Sequence, residues 1–134
     1  MKYIILYITS FLVFLFIDFI WLGFISRNLY KEQIGHLMAE NVNFFAAFLF
    51  YALFVAAVII LAVLPAARDN DITKALLLAL VFGLASYATY DLTNWATLKD
   101  WPVKIVIIDM IWGMFISSST ALASYYIASW LKIP

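Results

Sequence analysis

Residues 3–25 read YIILYITSFLVFLFIDFIWLGFI, an apolar run that holds one acidic residue, Asp18, and no basic residue. A helix needs about 20 such residues to cross the hydrocarbon core of a bilayer. The run is longer than the apolar part of a signal peptide, and no cleavage site of small residues ends it. We therefore expect it to remain in the protein as a first membrane-spanning helix.

The rest of the chain has the same apolar character. Of its 134 residues, 67% are hydrophobic and 12% are charged, whereas charged residues make up about 25% of a soluble protein. Four membrane-spanning helices are predicted, over residues 3–25, 44–64, 75–98 and 103–131. The predicted fold class is an all-α membrane protein, a four-transmembrane-helix bundle that forms one integral membrane domain over residues 1–134.

The connection between the first two spans, residues 28–40, differs from the spans in composition. Apolar residues recur there near helical spacing, with charged and polar residues between them: Leu29, Ile34, Leu37 and Met38. The pattern is typical of a short helix that lies at the membrane interface. It also fits an ordinary polar connection that holds some apolar residues, so both alternatives stay open.

Composition excludes several kinds of site. The chain has no cysteine, so it has no disulfide, thiolate metal site or cysteine nucleophile. Its formal net charge is zero, and no basic tract indicates a nucleic-acid partner. The single histidine, His36, lies in a connection, which excludes a serine–histidine pair within the spans.

Basic residues do not determine the orientation in the membrane. On the predicted topology, one side carries Lys2, Arg68, Lys74 and Lys132, and the other carries Arg27, Lys31, Lys99 and Lys104. The positive-inside rule therefore gives no direction. The free amino terminus favours a cytoplasmic location for both termini.

Three aspartates, Asp18, Asp91 and Asp109, lie inside predicted spans. A charged side chain at mid-bilayer costs about +2.5 to +3.5 kcal/mol of insertion free energy. Because spans one and three run opposite to span four, each aspartate lies roughly 9–11 Å below the same surface. The sequence therefore predicts one layer of three carboxylates. Lys99 and Lys104 offer an alternative, in which they snorkel inward and pair with Asp91 or Asp109.

Aromatic and amide residues share helix faces with the three aspartates. Asp18 shares a face with Trp21. Asp91 shares a face with Tyr87, Asn94 and Trp95. Asp109 shares a face with Trp112 and Gly113. We expect these side chains and the aspartates to form a ligand- or ion-binding site among spans one, three and four. Span two, which includes Tyr51, is expected to provide only packing and lipid contacts.

Three stretches form a specific signature. They are residues 18–23, DFIWLG, residues 87–102, YATYDLTNWATLKDWP, and residues 109–113, DMIWG. With four predicted spans, the whole chain resembles a family of small bacterial inner-membrane proteins classified only as a domain of unknown function. The resemblance implies a multi-pass protein of the bacterial inner membrane, supports the same site residues and brings no established activity. Similar proteins are often encoded near genes for lipid modification.

Acids without basic partners favour a proton- or cation-linked small-molecule carrier or binding protein. Its ligand is then a small cationic or lipid-like molecule, because aromatic rings attract organic cations. Carboxylates also suit a hard divalent metal ion, with Asp18, Asp91 and Asp109 as possible ligands. One chain of 134 residues is small for a transport path, so this function predicts a homodimer in the lipid bilayer.

Two other functions stay open. Paired carboxylates can share general acid and base roles, which fits a membrane-embedded enzyme acting on a lipid or isoprenoid. Alternatively, the aspartates hold helices together in a structural or partner-stabilising membrane protein. Interhelical hydrogen bonds contribute only about 0.6 kcal/mol on average in membranes, a small gain for burying three acids.

Overall fold

The computed structural model describes residues 1–134, which form helices joined by short turns and no strand. Four helices are long and apolar enough to cross a membrane: Lys2–Ile25, Phe44–Asp69, Ile72–Thr97 and Val103–Trp130. We number them spans one to four in chain order. The predicted fold class, an all-α bundle of four membrane-spanning helices, is confirmed.

The observed bounds differ from the predicted ones mainly between spans two and three. Span two ends five residues beyond the predicted position, because Pro65 lies in the first turn of the segment Leu64–Asp69, where its missing N–H is not needed. Asn70 ends this segment in a left-handed conformation, with φ at 52°. Span three then begins where the Asp71 side chain accepts a hydrogen bond of 3.1 Å from the backbone N–H of Lys74.

The connection between spans one and two contains a helix, as one of the two alternatives predicted. It runs over Arg27–Ile34 and is followed by a 3₁₀ turn, Gly35–Leu37. We call Arg27–Ile34 the connecting helix. Its residues Tyr30 and Ile34 pack against a buried cluster at the start of span four, formed by Trp101, Ile105 and Val106. The connecting helix therefore folds back over the end of the bundle.

Spans three and four pack with very close backbones. A methyl group on Gly83 would overlap the Ser117 side chain and the Gly113 carbonyl oxygen. A methyl group on Gly113 would overlap the Tyr87 ring. Small residues at such positions let membrane helices approach closely. The two contacts fix the antiparallel register of spans three and four.

The half of the bundle next to the chain termini, here called the terminal half, is closely packed. Leu6, Val63 and Ala128 are fully buried there. Deeper in the bundle, the Ser124 hydroxyl donates a hydrogen bond of 2.7 Å to the Ser10 hydroxyl. The outer faces of the spans carry large exposed apolar side chains, as a lipid-facing surface requires. The cavities that reach Asp109 lie in the opposite half.

Candidate functional site

A cavity of about 770 Å³ lies between the spans beneath the connecting helix. Small-molecule sites have volumes of roughly 300–1,000 Å³, so this cavity is large enough for a ligand. Its lining is mainly hydrophobic and aromatic. It includes five of the predicted site residues: Asp18, Trp21, Tyr87, Asp109 and Trp112.

Asp18 enters the cavity from span one and is held by span two. The Tyr51 hydroxyl donates a hydrogen bond of 2.7 Å to Oδ2 of Asp18. The Tyr51 ring is fixed by an edge contact with Phe14, with ring centroids 5.4 Å apart. Asp18 is only 7% exposed. The bond satisfies one carboxylate oxygen, and the Trp112 indole lies beside the same carboxylate.

Asp109 enters from span four and is held by the connecting helix. The Tyr30 hydroxyl donates a hydrogen bond of 2.6 Å to Oδ1 of Asp109, and Trp21 Nε1 donates one of 3.3 Å to the Tyr30 oxygen. Burial raises the pKa of Tyr30, and the negative charge of Asp109 raises it further. Tyr30 therefore stays a phenol and a donor. Asp109 is 9% exposed.

Trp21 and Trp112 form a stacked pair in the cavity wall. Their ring centroids are 4.4 Å apart and their planes differ by 8°. Helical side chains lean toward the N-terminus of their own helix. Because spans one and four are antiparallel, the two indoles lean toward each other. Trp21 also begins the π-helical segment Trp21–Ile25, a kind of irregularity found often at functional sites.

Asp91 lies next to Asp109 but behind the cavity wall. The register that packs Tyr87 on Gly113 brings Asp91 opposite Asp109 one turn further along, and the two carboxyl groups interact. Asp91 is 0% exposed, and the Asp109 carboxyl is the one polar group beside it, since no other group hydrogen-bonds to either Asp91 oxygen. The structure therefore unites Asp18 and Asp109 at the cavity and keeps Asp91 enclosed.

Asn94 and Trp95, the remaining predicted site residues, do not line the cavity. Trp95 is 49% exposed, and Asn94 is only partly buried. Both lie in the last turn of span three, where fewer neighbouring side chains cover the helix. A shared helix face with Asp91 does not bring them to the cavity.

The signature residues around the aspartates lie within a stretch that matches one family model. That model covers residues 3–126 and is described as Predicted membrane protein (DUF2177). The chain belongs to the DUF2177 family. The match includes every cavity residue named above. No curated protein and no solved structure matches the chain.

The cavity carboxylates of this DUF2177 protein have no basic partner. The single ion pair in the structure joins Lys74 to Asp69, far from the cavity. The alternative in which Lys99 or Lys104 pairs with an intramembrane aspartate is therefore wrong for this structure. No basic side chain forms an ion pair with Asp18 or Asp109.

The aspartates do not converge as metal ligands. No group of three acidic or histidine side chains is placed to hold a metal ion. Asp18 and Asp109 each use one oxygen to accept a phenol hydrogen bond, and Asp91 is enclosed beside Asp109. This geometry does not support the divalent-metal alternative.

Two residues of the site, Tyr51 and Tyr30, were missed by the sequence reasoning. The expectation that span two provides only packing and lipid contacts is wrong, because Tyr51 holds Asp18. A phenol within an apolar span needs a hydrogen-bond partner. This need is the feature of the sequence that could have indicated a polar contact for Tyr51. Tyr30 lies in the connection, where only the fold-back of the connecting helix brings it to Asp109.

Proposed function

We propose that this protein binds a small organic cation in the cavity between Asp18 and Asp109. The observation that carries the proposal is the pair of buried carboxylates without a basic partner, inside an aromatic cavity. A carboxylate buried in this way either takes up a proton or requires a compensating positive charge. A bound cation supplies that charge.

The walls suit an organic cation. Cations are attracted to the faces of Trp and Tyr rings, by about 0.5–2 kcal/mol per contact. Trp21 and Trp112 offer such faces on one side of the cavity, and Tyr87 offers another. Because Tyr51 and Tyr30 each donate a hydrogen bond to one carboxylate oxygen, both aspartates are held in place at the cavity wall.

Access supports binding from one side of the membrane. The terminal half of the bundle is closed by fully buried residues such as Leu6 and Val63. Carriage across the membrane, linked to a proton or a second cation, would require another conformation in which this half opens. We extend the proposal to a homodimer only for that activity, since one chain already forms the whole binding cavity. A doubled mass by native mass spectrometry tests the dimer.

The direct test is a pair of probes with the same shape and different charge. Choline and its neutral carbon analogue 3,3-dimethylbutan-1-ol should be titrated into the purified protein in lipid nanodiscs, with empty nanodiscs as the blank. Choline should bind and the alcohol should not. Asp18→Asn and Asp109→Asn should each weaken choline binding roughly tenfold to a hundredfold, as loss of a charge-assisted contact predicts.

Asp100→Asn is the matched control. It removes the same charge from an exposed residue outside the cavity. Asparagine tolerates the left-handed conformation of residue 100, whose φ is 55°. Choline affinity should stay unchanged in this variant. Equal binding of choline and the alcohol, or equal loss in all three variants, would overturn the proposed function.

The same proposal includes a location in the bacterial inner membrane with both termini in the cytoplasm. The two termini lie at the same end of the bundle, which supports one location for both. Lys2 Nζ donates a hydrogen bond of 3.4 Å to the Lys132 carbonyl oxygen there. An alkaline phosphatase fused after Lys99 should be active, and one fused after Pro134 should be inactive. The opposite pattern would reverse the orientation.

A further inference from the structure

The cavity also contains two basic residues that have no acidic partner. Arg27 and Lys31 line it from the connecting helix. They lie four residues apart, on the helix face that also carries Tyr30. The structure's one ion pair lies elsewhere, between Lys74 and Asp69. One cavity thus presents two unpaired acids and two unpaired bases.

These opposite charges are separated by depth. Asp18 and Asp109 are more than nine-tenths buried, whereas Arg27 and Lys31 are exposed at the mouth. Tyr30 connects the two levels, since it bonds to Asp109 and precedes Lys31 directly. A ligand complementary to this cavity has its positive group deep and a negative group nearer the mouth.

A second opening leads to the same aspartate from the side of the bundle. A cleft of about 420 Å³ lies between spans two and three and reaches Asp109. Phe50 and Tyr90 line it, and both are about half exposed on the outer face of the bundle. The two spans meet mainly through the π-helical segment Ile59–Val63 of span two, and so leave its first part free.

The lining of this cleft is mainly aromatic. Three of its five lining residues are Phe50, Tyr87 and Tyr90, and the Tyr87 ring packs on Phe54 with ring centroids 6.0 Å apart. In a membrane the lateral mouth of the cleft faces lipid chains, because spans two and three both cross the bilayer. Its lining suits an alkyl chain that enters from the membrane core.

The order of these features defines one ligand class. From the lipid side inward, the path passes the cleft, then Asp109, then Tyr30, and then Arg27 and Lys31. We infer that the ligand is a zwitterionic amphiphile in which the ammonium group lies between the alkyl chain and the anionic group. This inference rests on the proposed function, since its ammonium occupies the same cation site.

Two commercial amphiphiles with one chain length and opposite charge order provide the test. Dodecyl sulfobetaine has the order chain, ammonium, sulfonate, and dodecylphosphocholine has the order chain, phosphate, ammonium. Dodecyltrimethylammonium carries the ammonium alone. Each is added below its micelle-forming concentration, and bound copies are counted by native mass spectrometry of the released protein.

The sulfobetaine should bind roughly tenfold more tightly than dodecyltrimethylammonium, as one added charge-assisted contact predicts. It should also bind more tightly than dodecylphosphocholine. The double substitution Arg27→Gln with Lys31→Gln should remove the gain of the sulfobetaine over dodecyltrimethylammonium. The matched control, Lys99→Gln with Lys104→Gln, changes two basic residues near the same end that do not line the cavity, and should leave the gain intact.

The outcomes separate this inference from the proposed function. If dodecyltrimethylammonium binds in an Asp18-dependent manner but the sulfobetaine gains nothing, the charge order is wrong and the cation site stands. A preference for dodecylphosphocholine also overturns the order. If no ammonium probe binds, both the inference and the cation site fail. If choline binds as tightly as dodecyltrimethylammonium, the alkyl chain adds nothing to the affinity, and the cleft has no role in binding.

Discussion

Tyr51 of span two donates a hydrogen bond of 2.7 Å to the carboxylate of Asp18 in span one. The bond joins two neighbouring spans at the cavity. Tyr30 makes the equivalent bond to Asp109 from the connecting helix. Each cavity carboxylate is thus oriented by a phenol from a different element, which keeps both acids directed at one space.

Tyr51→Phe should destabilise the protein by about 0.6–1.7 kcal/mol, the range measured for interhelical hydrogen bonds in membranes. The substitution removes only the hydroxyl, so the ring contact with Phe14 should persist. The free energy of unfolding can be measured by denaturant titration in mixed micelles. In a double-mutant cycle with Asp18→Asn, the two effects should not add.

Tyr126→Phe is the control for this experiment. Tyr126 is 60% exposed and makes no side-chain hydrogen bond, so loss of its hydroxyl should leave the stability unchanged. Additive effects of the Tyr51 and Asp18 substitutions would contradict a direct bond between the two side chains.

A second prediction concerns the glycines between spans three and four. Gly83→Ala and Gly113→Ala each insert a methyl group where Ser117 or Tyr87 already lies. Overpacking of this kind costs typically about 1–3 kcal/mol. Gly113→Ala should also weaken ligand binding, because the displaced Tyr87 lines the cavity. Thermal unfolding and choline titration measure the two effects.

Gly23→Ala provides the comparison for both glycine variants. Its added methyl group would meet only the Phe19 ring, at ordinary contact distances of 3.9–4.0 Å. Gly23 also lies in a membrane span, within its π-helical segment Trp21–Ile25, so the same glycine-to-alanine change is made in a membrane helix without the close contact. A loss of stability in Gly23→Ala as large as in Gly83→Ala would refute the close approach of spans three and four.

The sequence predicted the spans and the intramembrane acids because these depend on local composition. Hydropathy is a property of a segment, and Asp18 and Asp109 are visible within apolar runs. The rotation of span two about its axis does not follow from local composition. A helix that is apolar on all sides has no polar face to indicate which side meets a neighbour. Tyr51 could therefore not be assigned to Asp18, which is 33 residues away.

The positions of Asn94 and Trp95 outside the cavity have a related cause. Helical spacing groups Asp91 with Asn94 and Trp95 on one face, but burial depends on how far the neighbouring helix extends beside it. Trp95 lies in the last turn and is half exposed. Tyr30 was missed for the opposite reason, since a residue outside the spans is brought into the site by the connecting helix.

A third prediction concerns the enclosed carboxyl of Asp91. A buried polar group without a hydrogen-bond partner costs about 1–3 kcal/mol. Asp91→Leu removes that cost and keeps a similar length, so the protein should become more stable to thermal unfolding. Asp18→Leu, by contrast, leaves the Tyr51 hydroxyl without its acceptor and should destabilise the protein. A loss of stability in Asp91→Leu would show that the contact of Asp91 with Asp109 outweighs the cost of burying the Asp91 carboxyl.

The last prediction concerns alkaline pH and Tyr30, which lies outside the membrane-spanning helices. Burial and then the charge of Asp109 raise the pKa of Tyr30 above its ordinary value. As the pH rises above about 10, the unfolded chain loses this proton while the folded chain keeps it. The stability that the protonated phenol provides is therefore complete below about pH 10 and falls as the pH increases. Tyr30→Phe should make the free energy of unfolding less dependent on pH in that range, by up to about 1.4 kcal/mol per pH unit. Tyr126→Phe serves as the exposed control, and an identical alkaline slope in wild type and Tyr30→Phe would contradict the burial of Tyr30 against Asp109.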